Sequence, residues 1–315
     1  MIKRFASPHA KLSNPVNDIQ RAILYMIGST IMFGRMAVMI RFASESLHTF
    51  EIAFFRNFFG LLFALPLLVR HGPSLLRTQK LSLYALRALI GILSMMCGFW
   101  AIVHLPLAQA ISISYATPLF VTIGAALVLG EVVRMRRWSA VIVGFIGVLI
   151  ILRPGAASFD VNTTVALAAA VLSGCVAISI KFLSRTEKPD AIVLYTTLLW
   201  VPMSLIPALF VWVWPQGITW LWIALSGLFG TLGHMLWTRA LKLGDASMLT
   251  PITFFQVLVV GFYGWALFGE VVDRWTAIGA GIILLSNSYI AHREAKLAKL
   301  AKTPSSITTS KPISE

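Results

Sequence analysis

Leu129-Gly130-Glu131-Val132-Val133, followed by Trp138, is written a second time as Phe268-Gly269-Glu270-Val271-Val272, followed by Trp275. In each copy a long apolar run ends at a Gly-Glu pair and a charged turn follows. A second apolar run then opens at the Trp and carries a glycine six residues on, Gly144 and Gly281. An internal repeat governs how the rest of a chain is read. These copies lie about half the chain apart, which predicts two homologous halves.

Composition sets the class. Of 315 residues, 58% are hydrophobic and 12% charged, and the mean hydropathy is +0.83. A water-soluble chain of this length needs far more charge on its surface. Apolar runs of about twenty residues recur along nearly the whole length, each able to cross a ~30 Å hydrocarbon core. We expect an all-α polytopic membrane protein with spans at about 22–42, 50–69, 81–103, 107–129 and 138–153. The second half repeats this at about 162–182, 191–212, 218–238, 246–268 and 275–291. The first run is too long for a signal-peptide core and contains Arg35, so it reads as a retained span. Four segments follow: an N-terminal segment 1–21, a five-helix repeat 22–153, a second 161–291, and a basic tail 292–315. Within that tail Glu294 to Lys302 could extend the last helix, and Thr303 to Glu315 reads as disordered.

Basic residues orient the chain. With the N-terminus inside, twenty of the 26 Lys and Arg fall on inner segments, and only Arg153 and Arg274 fall outside. Both termini are expected in the cytoplasm. This division also accounts for the net charge of +14 without nucleic acid, since the charge is spread over short membrane-edge turns. Five helices per half is an odd number, so the second half enters the membrane in the opposite sense. Inverted repeats are an architecture of secondary transporters, with the substrate near the midplane between them.

Ten spans, an inverted five-plus-five repeat and two Gly-Glu helix ends before a Trp-led helix make this chain resemble the drug/metabolite transporter superfamily, in its EamA branch. The likeness covers about residues 22–291. Further matches are Phe54-Phe55-Arg56, Leu86-Arg87-Ala88 and Ala116-Thr117-Pro118-Leu119-Phe120. The run from Leu47 through Arg56 is similar to that of S-adenosylmethionine carriers within the branch. The resemblance implies a bacterial inner-membrane carrier of a small organic metabolite. One departure is that Pro118 stands thirteen residues before Glu131, whereas Val257 stands thirteen before Glu270 and the proline is displaced to Pro251.

No Gly-x-x-x-x-Gly-Lys-[Ser/Thr] phosphate loop occurs, the histidines are scattered, and no nucleophile–base–acid set is present. Neither a cofactor, a metal nor enzymatic catalysis is expected. The expected partners are a small-molecule substrate and the bilayer, with a homodimer left open. Cys97 and Cys175 sit inside apolar runs and read as packing residues.

Misplaced charge is the informative signal, because an ionised group inside a bilayer normally faces a cavity or a partner. Arg35 and Arg56 both fall about 10 Å below the outer face at ~1.5 Å per residue, so they could share a cavity. Arg87 lies at similar depth from the inner face. Guanidinium forks suit a carboxylate-bearing substrate; the alternative is that each arginine is tied to backbone carbonyls or to Glu51. Arg41 and Glu51 are near the interface, where an edge salt bridge is the better reading. His234 could carry a proton or act as a gate, as could Glu51, though a lone histidine is more often a packing residue.

Near the midplane lie Ser114, Tyr115, Thr117 and Pro118 on the fourth span and Gln256 on the ninth. Pro118 can kink its helix and free carbonyls toward a cavity. Trp100, Trp200 and Trp237 could stack on a ring-bearing ligand. Trp212, Trp214, Trp220 and Trp222 read as an interfacial belt. Gly227, Gly230 and Gly233 read as a close helix contact. The competing hypotheses are an S-adenosylmethionine or vitamin-type uptake carrier of the same family, and a non-transporting membrane scaffold in which the deep arginines are structural.

Overall fold

The computed structural model describes residues 15–71, 80–128, 130, 135–153, 160–183, 189–243, 249 and 252–302. The described chain is helical: α1 (Pro15–Ala43), α2 (Thr49–His71), α3 (Leu81–His104), α4 (Leu107–Ser114), α5 (Thr117–Val128) and α6 (Met135–Leu152) form the first half. The second half has α7 (Val161–Leu183), α8 (Pro189–Leu209), α9 (Thr219–Leu243), α10 (Phe255–Phe268) and α11 (Arg274–Lys302). With α4 and α5 counted as one broken span, these make ten. Five described helices are long and apolar enough to cross a membrane.

Their outward faces are apolar. On α3, Leu86, Leu89 and Leu93 point away from the bundle, as do Ile142, Ile146 and Leu149 on α6. Helical spacing puts each trio on one stripe, a surface that lipid tails cover and water does not.

The repeat glycine is a helix stop in both halves. Gly130 and Gly269 have φ of 66° and 65°, the left-handed region that only glycine enters without a Cβ penalty. At the second copy the Gly269 N–H reaches the Trp265 carbonyl (3.2 Å) and the Glu270 N–H reaches that of Gly264 (3.0 Å). Carbonyls that end α10 are thereby satisfied. Glu131 lies outside the described residues.

An offset of 139 positions, which carries Gly130 onto Gly269, relates the packing of the halves. Helix α1 packs on α9, and its mate α7 packs on α3; α2 meets α8, and α6 meets α11. Residue pairs obey the same exchange within one position. Ser29 Oγ on α1 donates to the Gly233 carbonyl on α9, and Ser94 Oγ on α3 donates to the Ala169 carbonyl on α7, both at 2.9 Å. Gly34 lies against Val259 and Val260, as Gly174 lies against Phe120 and Val121. Gly147 and Gly279 bring α6 and α11 so close that a Cβ on either would sit 2.9 Å or 2.5 Å from the other's carbonyl oxygen. Small residues are what allow helices to pack in lipid, where water drives no association.

Three sequence expectations change. The fourth span is broken at Tyr115–Ala116, and the ninth, expected as one helix over 246–268, is broken at Phe254. Both breaks fall at equivalent positions although the proline follows the break in the first half, as Pro118, and precedes it in the second, as Pro251. Pro118 is the second residue of α5, a place where its missing N–H costs nothing. The carbonyls freed at the break do not open to a cavity: Asn287 Nδ2 takes that of Tyr115 (2.7 Å) and Thr117 Oγ1 that of Ser114 (2.8 Å). As the sequence allowed, the run from Glu294 to Lys302 extends the last helix, α11 ending at Lys302; the segments 1–14 and 303–315 lie outside the described residues.

Candidate functional site

Arg35 and Arg56 reach one turn of α9 from two different helices. The Arg35 guanidinium on α1 lies over the Phe229 ring, 5.9 Å from its centroid, with Nε 3.4 Å from the Tyr263 hydroxyl. Arg56 on α2 packs against the next residue, Gly230, where a Cβ would lie 2.8 Å from Nη2. Its Nη1 donates to Asn57 Oδ1 at 3.1 Å, while its buried Nε has no partner. Neither arginine has an acidic partner among the described residues. An arginine offers five donors; Arg56 is half-buried, and the buried donor it leaves without a partner is Nε. Leaving such a group unpaired is costly. The glycine spacing on α9 that reads as helix contact does both jobs, since Gly227 receives Phe59 and Gly233 the Phe33 ring.

Arg87 is elsewhere. It is buried between α3 and α8 and donates to Thr196 Oγ1, so it ties two helices and joins neither Arg35 nor Arg56. His234 lies one turn along α9 from Gly230, edge-on to Phe33 at 5.0 Å. Trp237 is 40% exposed on the same helix, and no described contact joins it to the arginines.

Tyr115 and Gln256 do come together, with each other. The Tyr115 hydroxyl donates to the Thr253 carbonyl and lies 3.3 Å from Gln256 Oε1, while its ring stacks on Phe254 at 4.1 Å and 22°. Tyr115 and Phe254 occupy equivalent places in the two halves, so the stack sits where the broken spans cross.

Glu51 is fully buried and does not pair with Arg41. Its carboxylate accepts the His48 N–H (3.0 Å) and the Val213 N–H (2.6 Å), capping α2 and holding the α8–α9 connection. Arg41 instead pairs with Glu270, and also donates to the carbonyls of Ile102, Val103 and Leu105. Glu270 in turn caps α4 by accepting the Leu107 N–H at 2.7 Å. One ion pair therefore binds the ends of α1, α3, α4 and α10 at the face opposite the termini. Arg274 lies over Trp275 at 5.4 Å, and Asp273 pairs with Arg153. Of the four tryptophans expected at an interface, Trp214 is exposed, but Trp212 packs on Phe54 and Phe55, and Trp222 stacks on Phe42.

A cavity of about 310 Å³ opens between α3, α4 and α7 and is walled on one side by Trp200 of α8. Sequence reasoning named Trp200 and Ser114 there but missed Gly91, Ser94 and Ser173. Small residues at 91, 94 and 98 on one helix face were the available signal. By the exchange of halves this cavity is the counterpart of the region holding Arg35 and Arg56. A groove of about 740 Å³ beside α10 and α11 is lined by apolar side chains, including Leu258 at 67% and Phe262 at 59% exposure, and suits a lipid tail.

The EamA-like transporter family model matches residues 20–153 and again 163–291. The chain belongs to the EamA-like transporter family. This EamA-family protein is 34% identical over 226 residues to a riboflavin transporter of Vibrio cholerae, covering 71% of this chain and 76% of that one. It is 27% identical over 285 residues to an S-adenosylmethionine uptake transporter of Rickettsia prowazekii, covering 90% and 96%. A pseudopaline exporter of Pseudomonas aeruginosa is 27% identical over 279 residues, covering 85% and 95%. A solved crystal structure at 19% identity superposes with a TM-score of 0.61, over 89% of this chain and 99% of that one; that likeness shows the fold. The family and these relatives identify a small-molecule membrane transporter, and they point away from an enzyme.

Proposed function

We propose that this EamA-family protein moves a small organic solute bearing an anionic group and a ring, by alternating access between its two inverted halves. The observation that carries this reading is the pair Arg35 and Arg56, which flank Phe229 and Gly230 without an acidic partner among the described residues. A carboxylate or phosphate would complete the hydrogen bonds that Arg56 leaves unmade. Tyr115 and Gln256 hold the two broken spans together, and His234 lies one turn along α9 from Gly230. Arg87 lies apart from this pair, tying α3 to Thr196 of α8, and takes a structural part in this reading.

Riboflavin and S-adenosylmethionine, named for two relatives, both contain fused heterocycles, which favours a vitamin-type or nucleoside-type solute as the second, narrower reading. Placement in the bacterial inner membrane with both termini in the cytoplasm rests on the twenty basic residues of the inner segments.

The test is flux in proteoliposomes with a panel of labelled metabolites, including riboflavin and S-adenosylmethionine. Saturable flux that Arg35→Ala and Arg56→Ala both abolish for an anionic solute is the expected result. Normal flux in both variants would remove the arginines from the site. No flux for any solute by folded protein would favour a non-transporting scaffold.

A further inference from the structure

The cavity beside Trp200 has a chemical character of its own. Three side-chain hydroxyls line it, those of Ser94, Ser114 and Ser173, and no charged residue does. A serine hydroxyl has one proton to give. Ser94 Oγ gives its proton to the Ala169 carbonyl at 2.9 Å, so the 2.7 Å contact between Ser94 and Ser173 is made by the Ser173 proton. Ser114 Oγ spends its proton on the Ile111 carbonyl at 2.7 Å. The Trp200 indole N–H is used as well, on the Ala88 carbonyl at 3.2 Å. What these groups still offer the cavity is lone pairs.

The rest of the lining is apolar, with Met95, Phe99, Ile102, Ile111 and Val176 on one part of the wall and small residues on another. Gly91, Gly98, Ala166 and Ala170 contribute little or no side chain, and the edge of Trp200 lies against Gly91, 2.9 Å from where a Cβ would be. A volume of about 310 Å³ is at the lower end for ligand sites, and it fits a fused two-ring system better than a chain. An anion would meet acceptors only, with no counter-charge, so the carboxylate end of a solute is excluded here.

We propose that this cavity is the ring subsite of the carrier, taking a planar, uncharged heterocycle through N–H or amino donors that bond to the Ser173 and Ser114 oxygens. It rests on the carrier reading above and adds the polarity of the solute. Donor-bearing ring atoms go to the serines of α4 and α7, while the acceptor-rich anionic group goes to the arginines of α1 and α2. The inverted repeat supplies equivalent places, and the two halves have filled them with opposite chemistry: Trp200 lies against Gly91 and Arg56 against Gly230, glycines related by the same 139-position offset.

Binding of hypoxanthine and adenine, compared with their fully N-methylated counterparts, tests this on purified full-length protein by equilibrium titration. The methylated rings keep the planar ring system and lose the donors, each replaced by a methyl group. We expect the donor-bearing rings to bind at least about tenfold more tightly, the size of one or two lost hydrogen bonds. Gly98→Leu should abolish that binding without lowering the unfolding temperature, because a Cβ at Gly98 meets nothing within 4 Å. Ser173→Ala should weaken hypoxanthine and adenine and leave the methylated rings unchanged. Equal affinity for both sets, no affinity for either, or full binding by a folded Gly98→Leu protein would overturn the subsite. Ring binding that Gly98→Leu blocks, in a protein that shows no flux of any solute, would instead keep the subsite and overturn the carrier reading.

Discussion

Tyr115 and Phe254 stack ring on ring at 4.1 Å, and each is the other's counterpart under the exchange of halves. They occupy the breaks in the fourth and ninth spans, so the two irregular segments support each other at the centre of the bundle. Truncating one ring should be costly. Phe254→Ala is expected to lose about 3 kcal/mol, whereas Tyr115→Phe keeps the stack and gives up only the bond to the Thr253 carbonyl, about 1 kcal/mol. Chemical unfolding in detergent would rank them; a milder effect for Phe254→Ala than for Tyr115→Phe would mean that the stack is incidental.

The Arg41–Glu270 pair holds four helix ends together at the face opposite the termini, with both side chains about 15% exposed. On the proposed alternating-access reading, this face opens at some stage. Glu270→Gln should loosen it by about 3 kcal/mol, because Arg41 would keep its charge and lose its counter-ion. In a cysteine-free background, Ala108→Cys, buried in the first turn of α4, should then react several-fold faster with a maleimide. Unchanged reactivity in Glu270→Gln would show that the pair does not hold the face shut.

Charge and fork geometry at Arg56 can be separated. Arg56→Lys preserves the charge but not the planar set of donors, so we expect flux of an anionic solute to fall at least about tenfold, with a smaller loss for a neutral one. A structural arginine would instead lower flux of all solutes alike, together with the unfolding temperature.

Gly279→Ala should destabilise the α6–α11 contact by about 2 kcal/mol, since the obstacle 2.5 Å away is the Gly147 backbone oxygen, which cannot rotate aside. Gly281→Ala on the same helix meets nothing within 4 Å and serves as the control. Similar unfolding midpoints for the two would contradict the close packing of these helices.

What the amino-acid sequence determined by itself was what local chemistry determines. Apolar runs long enough for a bilayer placed the helices, and the doubled Gly-Glu stop announced the repeat, because a left-handed helix end needs glycine wherever it sits. The depth of Arg35 and Arg56 followed from helical rise alone. Tertiary structure decided which face of each helix looks where, and with that the fate of every polar group. Depth brought Arg87 into the candidate set, and the fold sets it between α3 and α8 against Thr196, with its own Nε buried and unpartnered. Proximity to an interface paired Arg41 with Glu51, but Glu270, 229 positions away, competes for it and wins. The break at Phe254 and the cavity beside Trp200 left only faint traces in the chain, Pro251 three residues before the one and small residues at 91, 94 and 98 for the other, because both depend on how one helix lies against another. Hydropathy measures how deep a residue lies and not what stands next to it.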